Sequence, residues 1–150
     1  NAPKSRTETT RPVTTAPASR AMTARYRSML DALGVTYPQY LVLLVLWEQD
    51  GRGVREICDA LDLDTGTLSP LLKRLDILGL VERRRSSADG RRVGIHLTEK
   101  GAGLRTAAEG IPTELARSTG MGVDELVALR DTLSRLTESL HSFETPTGEK

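Results

Sequence analysis

The chain has 150 residues, enough for one domain with a core of ordinary size, and its 21 basic and 20 acidic side chains leave a net charge of only +1. The single cysteine excludes an intrachain disulfide and a cysteine-based zinc cluster, and it fits a reducing, cytoplasmic compartment. The longest apolar run, residues 40–47, is too short to span a bilayer, so we expect no membrane partner. No Ser/His/Asp set, glycine-rich phosphate loop or carboxylate pair is recognisable, so we expect neither an enzyme nor a metal or other cofactor.

Charge is unevenly distributed along the chain. Residues 64–92 hold seven basic and four acidic side chains, whereas residues 102–150 hold eight acidic and five basic ones. A protein polarised in this way can present one face to phosphate groups and keep the other away from them. The distribution of charge, and not its total, therefore suggests a nucleic-acid partner.

The N-terminal third of the chain predicts an arm followed by two helices. Residues 1–18 are rich in Thr, Pro, Ala and Arg, which predicts a flexible arm. A helix is expected over residues 19–34, because apolar side chains recur there at helical spacing: Met22, Tyr26, Met29, Leu30 and Leu33. Thr36 and Gln39 then form a capping-box pattern that begins a second helix, running to about residue 50. Because this helix is apolar nearly all round, we expect it in the middle of the domain.

The next two helices have the spacing of a helix-turn-helix. Residues 54–61 form a short amphipathic helix, because Val54, Ile57, Cys58 and Leu61 recur at i, i+3, i+4 and i+7. A second helix runs to Leu78, and two starts are open. Asp64 is a good N-cap, but Ser69 followed by Pro70 also resembles a cap with proline at the first helical position. If the helix starts at Asp64, Pro70 removes one backbone hydrogen bond from it.

A basic β-hairpin follows the second of these helices. Residues 80–85 and 91–97 predict two strands, and Asp89-Gly90 between them is the strongest short turn signal in the chain. In the second strand Val93, Ile95 and Leu97 are expected to point inward, with Arg92, Gly94 and His96 outward. A helix followed by such a hairpin is the order of a winged helix-turn-helix, in which the helix enters the major groove and the hairpin, or wing, the neighbouring minor groove.

The C-terminal third predicts two helices and an oligomer. Thr98 caps a helix that runs to about Thr119 and is kinked by Pro112. The last helix carries a coiled-coil seam spaced by three and four residues: Leu126, Leu129, Leu133, Leu136, Leu140 and Phe143. Few other apolar faces remain to cover this seam, so we expect burial against a second copy of the chain. Residues 144–150 form a polar tail.

The candidate DNA contacts lie on the helix and hairpin of the winged motif. Short hydroxyl side chains near the helix start can approach phosphates or base edges, and basic side chains one or two turns later can reach phosphate or guanine. An arginine after the hairpin turn can enter a narrow minor groove, positioned there by the neighbouring aspartate. These residues are Thr65, Thr67, Ser69, Lys73, Arg74, Arg84, Asp89 and Arg91. The alternative, solvated surface charge, explains a single arginine better than it explains such a cluster.

Two further features have competing interpretations. Cys58 lies on the apolar face of its helix, which favours a buried core residue over a reactive thiolate. Tyr26, Tyr37 and Tyr40 are the only tyrosines and belong to the first two helices. Core packing explains them, and the alternative is a small effector pocket edged by their hydroxyls.

Three segments resemble the MarR family of bacterial regulators, and within it the organic-hydroperoxide-resistance branch. They are YPQYLVLLVLWE (37–48), LDLDTGTLSPLLKRLDILGLVERRR (61–85) and DGRRVGIHLTEKG (89–101), and SRAMTARY (19–26) also fits that branch. The resemblance implies a mainly helical fold with a small β-hairpin wing in one domain, residues 19–143. Within that domain the winged helix-turn-helix spans about 53–97, and helices at 19–34 and 98–143 form the dimerisation region. It also implies a homodimeric repressor on double-stranded DNA carrying a palindromic operator, with Arg91 and Asp89 as the wing-tip pair.

One position departs from the pattern of the peroxide-sensing branch. Its reactive cysteine precedes a Ser-Arg pair by seven residues, and here that position is Pro12. The tyrosines that hydrogen-bond the sensor thiolate in that branch correspond to Tyr26 and Tyr37, which are both present. The resemblance therefore favours a different effector, such as a small aromatic or phenolic molecule, over peroxide. Two alternatives remain: a redox-responsive repressor of peroxide-resistance genes acting through Cys58, and a winged-helix module that binds a protein partner.

Overall fold

A computed structural model describes residues 12–86, 88 and 90–143, so the predicted polar tail and most of the predicted N-terminal arm lie outside the described residues. The fold is mainly helical with one two-stranded antiparallel hairpin, as predicted. The elements are α1 (Ala16–Leu30) with a 3-10 turn (Asp31–Leu33), α2 (Tyr37–Glu48), α3 (Val54–Leu61), α4 (Thr65–Ile77), β1 (Val81–Arg85), β2 (Val93–Leu97), α5 (Glu99–Ala108), α6 (Ile111–Thr119) and α7 (Val123–Phe143). They form two compact units, which divide between residues 109 and 110.

Helix α2 is the centre of the first unit. The predicted capping box is present: the Thr36 hydroxyl accepts the Gln39 N–H, and the Gln39 side chain accepts the Thr36 N–H at 2.9 Å. Half of the helix is buried, through Gln39, Tyr40, Val42, Leu43, Val45 and Leu46. It packs against α1, α3, α4, α5 and β2. An apolar helix surrounded in this way organises the core and the elements that carry the site.

Helix α1 begins at Ala16, three residues before the predicted start at Ser19. Pro17 lies in its first turn, where proline is tolerated because no intrahelical N–H bond is lost there. Of its predicted apolar face only Leu30 is buried, and Met22 is exposed. The helix therefore has apolar surface that the first unit leaves uncovered.

None of the helices in the described part of the chain combines the length and the apolar composition of a membrane span. Residues 16–33 and 37–48 reach that length and apolar composition only as a pair bent by 72°, and half of the residues of α2 are buried in the core.

Helices α3 and α4 form the predicted helix-turn-helix. Of the two predicted starts of α4, the structure has the earlier one, with Asp64 as the N-cap. Asp64 Oδ1 accepts the Thr67 N–H at 2.7 Å, which satisfies one of the free donors at the helix start. The alternative start at Ser69 is therefore wrong, and Pro70 lies inside α4. Leu68, Leu72 and Leu75 hold the helix to the core by one buried face.

The wing is the antiparallel pair β1 and β2, with a register running from Val81 opposite Leu97 to Arg85 opposite Val93. Ile95 is buried as predicted. Val93 is exposed, so the prediction that its side chain points into the core is wrong. Val93 pairs with the last residue of β1, so it lies at the end of the hairpin that is farther from the core. The turn between α2 and α3 extends the sheet, since Gly51 N–H donates to the Ile95 carbonyl at 3.0 Å and Ile95 N–H donates to the Arg52 carbonyl at 2.9 Å.

Helix α5 is fixed to α2 through Trp47. The Trp47 indole N–H donates to the Gly101 carbonyl at 3.0 Å, and the Arg105 guanidinium donates to the Trp47 carbonyl at 3.1 Å. The Thr98 hydroxyl caps the helix by accepting the Gly101 N–H, as predicted. These bonds tie the exit of the wing to the central helix.

The predicted single helix from Thr98 to Thr119 is wrong. Helix α5 ends at Ala108, and α6 starts at residue 111 with Pro112 in its first turn. Proline therefore helps to begin a new helix instead of kinking an old one, because it needs no N–H partner there. In the second unit α6 is followed by α7, a helix of 21 residues with no buried residue.

Candidate nucleic-acid interface

The exposed face of α4 carries the predicted helix contacts. The structure exposes the hydroxyl residues of its first two turns and the two basic residues that follow: Thr65, Thr67, Ser69, Lys73 and Arg74. Because the opposite face is buried, the helix is held rigidly while these side chains remain accessible. This arrangement suits the insertion of a helix into a groove.

Asp64 places a fixed negative charge at the start of this face. The hydrogen bond from the Thr67 backbone N–H lowers the pKa of the Asp64 carboxyl, and a bond with the Thr67 side chain adds to the effect. The carboxylate is fully exposed. It therefore fixes the start of α4 and places a negative charge there, ahead of the exposed hydroxyls of Thr65 and Thr67.

The arginines of the wing are exposed but differ in their contacts. Arg83, Arg84 and Arg85 are exposed along β1, and Arg91 is exposed just after Gly90. Asp89, the predicted partner of Arg91, lies outside the described residues. The Arg84 guanidinium forms an ion pair with Glu82 on the same strand.

The sequence did not reveal this Glu82–Arg84 pair. Because residues i and i+2 of a strand lie on the same face, the pairing follows from the β1 assignment, and strand periodicity was the signal that could have found it. Part of the Arg84 guanidinium is therefore occupied by the Glu82 carboxylate, and the other terminal nitrogen takes no part in this pair.

The wing is also held by Asp50, which lies in the turn between α2 and α3. Asp50 Oδ1 accepts the Leu97 N–H at 2.8 Å, and its other oxygen lies 3.6 Å from His96 Nδ1. His96, predicted to lie outward on the wing surface, instead contacts the turn between α2 and α3. No local sequence signal connects residues 47 positions apart, so only the fold reveals this contact.

The three tyrosines come together, as their positions on the first two helices predicted. The rings of Tyr26 and Tyr37 are stacked with centroids 4.5 Å apart, and the Tyr40 ring lies 5.8 Å from that of Tyr26. Burial, followed by the neighbouring Tyr37 and Tyr40, raises the pKa of Tyr26 to about 12. Burial also raises the pKa of Tyr37 and of Tyr40. The cluster is therefore neutral, and its role as an effector pocket stays a prediction.

Cys58 is buried in the core, 7% exposed, as its place on the apolar face of α3 predicted. No group of three or more His, Cys, Asp or Glu side chains within the described part of the chain is arranged to hold a metal ion.

Comparison with known proteins places this geometry in a family. Residues 25–107 match the family described as transcriptional regulator SarA/Rot, and the chain is 45% identical over 123 residues to the organic hydroperoxide resistance transcriptional regulator of Bacillus subtilis (strain 168). That alignment covers 82% of this chain and 84% of the relative. The chain belongs to the MarR/SarA family of transcriptional regulators.

Two other members extend the comparison. The HTH-type transcriptional regulator TtmR of Methylorubrum extorquens (strain PA1) is 49% identical over 125 residues, which span 83% of this chain but 64% of TtmR. The solved structure of reduced AbfR bound to DNA has a TM-score of 0.71 and 32% identity, covering 87% of this chain and 89% of AbfR. The winged helix-turn-helix described above is therefore the family fold, in agreement with the resemblance noted in the sequence.

Proposed function

We propose that this MarR/SarA regulator is a homodimeric, cytoplasmic repressor that binds a palindromic operator in double-stranded DNA and is released by a small aromatic or phenolic effector. The observation that carries the proposal is the exposed polar face of α4 beside a basic wing. On this proposal Thr65, Thr67, Ser69, Lys73 and Arg74 contact the major groove, and Arg84 and Arg91 contact the backbone and minor groove. Asp89 then orients Arg91.

Binding to DNA is supported by the family and by the charge of this surface. A relative with the same fold, AbfR, has been solved as a DNA complex. The wing concentrates arginine on a two-stranded hairpin, where guanidinium groups can pair with phosphate or enter a narrow minor groove. A protein-interaction module would not require this concentration of positive charge, so it is the weaker alternative.

The dimer is supported by α7. Leu129, Leu133 and Leu136 are each at least 40% exposed, and Phe143 is 90% exposed. Together with Leu126 and Leu140 they form one stripe along a helix with no buried residue. Large apolar side chains repeated along one stripe need a partner surface, and a second copy gives a palindromic operator its matching symmetry.

The proposed effector is supported by the tyrosine cluster on α1 and α2. A flat aromatic molecule can stack on the Tyr26 and Tyr37 rings and hydrogen-bond with their neutral hydroxyls. A ligand that binds one lobe spacing better than another shifts the population away from the DNA-competent state. Release by oxidation of Cys58 is disfavoured, because its thiol is buried in the core and an oxidant would have to reach it there.

The test is binding of the purified full chain to a duplex from its own upstream region, followed by fluorescence anisotropy. We expect tight binding that weakens steeply with salt, a protein-to-duplex ratio of two, and release by 4-hydroxybenzoate but not by cumene hydroperoxide. Absence of salt-sensitive duplex binding would refute the DNA-binding part. Release by peroxide that a Cys58→Ser variant abolishes would replace the phenolic effector with a redox switch.

A further inference from the structure

The stacked pair of Tyr26 and Tyr37 is held together by the fold on both sides of a short turn. Tyr26 lies near the end of α1, Tyr37 is the first residue of α2, and their ring centroids are 4.5 Å apart with an angle of 25° between the ring planes. Between them Gly34 reverses the chain with a φ of +69°, and Leu30 and Val35 are buried on either side of it. The backbone and the core therefore keep the two rings in contact.

Both phenols of this pair are accessible and neutral. Their side chains are half-buried, whereas Tyr40, the third member of the cluster, is only 2% exposed. Burial raises the pKa of Tyr26 and of Tyr37, so each ring keeps its hydroxyl proton at physiological pH. An oxidant can thus reach the edge of the stack, and each oxidised ring must release a proton together with its electron.

Two stacked phenols have the arrangement that oxidative coupling requires. When each ring loses one electron and one proton, the two phenoxyl radicals can form a carbon–carbon bond between their ortho positions. The two ortho hydrogens then move to the oxygens, which restores both phenols. Holding the two reactants in contact within one chain raises the rate of such a step far above that of chance encounters. Tyr40 is less suited to it, since its ring lies 5.8 Å from that of Tyr26 and is tilted by 43°.

We propose that Tyr26 and Tyr37 form an oxidative modification site, at which one-electron oxidants join α1 to α2 through a dityrosine bond. The oxidants take up two electrons per bond, one from each ring, and water takes the two protons. The oxidised haem of a peroxidase belongs to this chemical class, and a hydroperoxide alone does not. The bond alters the ring surface on which the proposed phenolic effector stacks. Only this last consequence rests on the proposed function, because the modification itself needs neither DNA nor effector.

The experiment oxidises the full chain with ruthenium(III) tris-bipyridine, generated by light and persulfate, and measures dityrosine by its blue fluorescence. The chain contains three tyrosines in all, so every dityrosine formed within one chain comes from this cluster. The fluorescence of the oxidised native protein should exceed that of Tyr26→Phe or Tyr37→Phe by about tenfold or more, because each substitution keeps a packed ring but removes a phenol. Mass spectrometry of a protease digest should find the peptide of Tyr26 joined to that of Tyr37, with the loss of two hydrogen atoms.

Two controls define the site and the oxidant. Tyr40→Phe removes the third phenol of the cluster and should form the bond as well as the unaltered chain. Hydrogen peroxide without the ruthenium complex should give no dityrosine, since it does not remove single electrons from a phenol.

Three outcomes would overturn the site. Dityrosine found only between chains on a denaturing gel would show that the rings of one chain do not couple. Equal fluorescence in the native and the urea-unfolded protein would show that the fold does not bring the two phenols together. A cross-link that survives Tyr26→Phe would assign the reaction to Tyr37 and Tyr40. Failure of the proposed function is separate: an unoxidised chain that 4-hydroxybenzoate does not release from DNA would refute the effector, and the dityrosine yield would still decide the site.

Discussion

The carboxylate of Asp50 lies between the backbone of β2 and the imidazole of His96. One oxygen accepts the Leu97 N–H at 2.8 Å, and the other lies 3.6 Å from His96 Nδ1. His96 is directly opposite Glu82 in the sheet register. The turn before α3 therefore holds the second strand of the wing by a side chain as well as by backbone bonds, so the direction of the wing depends on Asp50.

We expect Asp50→Ala to lower the free energy of unfolding by about 0.5–1.5 kcal/mol, the usual net value of one intramolecular hydrogen bond. Asp50→Asn should lose less, because its amide oxygen can still accept the Leu97 N–H. Urea unfolding of both variants measures the difference, and the protection of the Leu97 amide from hydrogen exchange reports the bond directly. Equal stability of the two variants would show that the contact with His96, and not the hydrogen bond from the Leu97 N–H, accounts for the stabilisation by Asp50.

The imidazole of His96 also packs against the same turn at Gly51. Gly51 has a φ of +77°, and a Cβ built on it would lie 2.7 Å from His96 Cε1. Gly51→Ala should therefore lower the free energy of unfolding by about 2–4 kcal/mol, which combines backbone strain with overpacking.

Gly79 provides the matched control for this substitution. Its φ is +72°, but a Cβ there meets nothing within 4 Å, so Gly79→Ala should cost only the strain of about 1–2 kcal/mol. In a His96→Ala background the excess cost of Gly51→Ala should disappear. A double-mutant cycle by urea unfolding measures this coupling, and additive effects would show that the two residues do not compete for the same space.

The packing of α5 against the wing depends on a glycine for a different reason. A Cβ on Gly101 would overlap the Leu80 carbonyl oxygen, a backbone atom that cannot move aside. Gly101→Ala should therefore destabilise the fold by more than about 3 kcal/mol and displace the Trp47 indole bond. Gly103, in the same helix, has open space, so Gly103→Ala should stabilise by about 0.5–1 kcal/mol. Thermal unfolding and Trp47 fluorescence measure both variants, and similar stability for the two would contradict the close approach.

Local patterns in the sequence predicted most of the elements that build the site. The capping box at Thr36, the amphipathic spacing of α3 and the turn signal before β2 are all short-range features, and each predicted its element correctly. The boundary between α5 and α6 was missed because Pro112 is compatible with both a kink and a helix start. Helix α5 ends at Ala108 and α6 begins at Ile111, where the two units divide between residues 109 and 110, and no periodicity in the sequence indicates this break.

The contacts that fix the wing could not be predicted in the same way. Asp50 and Leu97 are 47 positions apart in the sequence. No sequence pattern distinguishes an aspartate that accepts a hydrogen bond from a distant strand from one that is only solvated. Sequence therefore identified the charged residues of the wing, but their pairing and accessibility required the fold.

The tyrosine cluster predicts a pH dependence of stability at alkaline pH. The pKa of Tyr26 rises from 10.0 to about 12 on folding, chiefly by burial, so the folded state favours the neutral phenol. This contribution is fully present below pH 10 and is lost as pH rises through about 12. Urea unfolding between pH 8 and pH 11.5 should show falling stability, and Tyr26→Phe should reduce the slope without abolishing it, because Tyr37 and Tyr40 are shifted in the same direction. An unchanged slope would show that Tyr26 ionises as freely as in the unfolded chain.

The apolar stripe on α7 predicts a dimer, and one charged side chain placed in that stripe should disrupt the dimer interface. Leu133 lies in the middle of the stripe and is 40% exposed in the single chain. Leu133→Lys should convert the dimer into a monomer and weaken operator binding at least a hundredfold, because burying an unpaired ammonium group costs several kcal/mol and a monomer contacts only one half-site. Ser134→Lys adds the same charge on the neighbouring face of α7 and should leave both properties intact. Sedimentation equilibrium and anisotropy measure the two variants, and a Leu133→Lys protein that remains dimeric would place the dimer contacts outside this stripe.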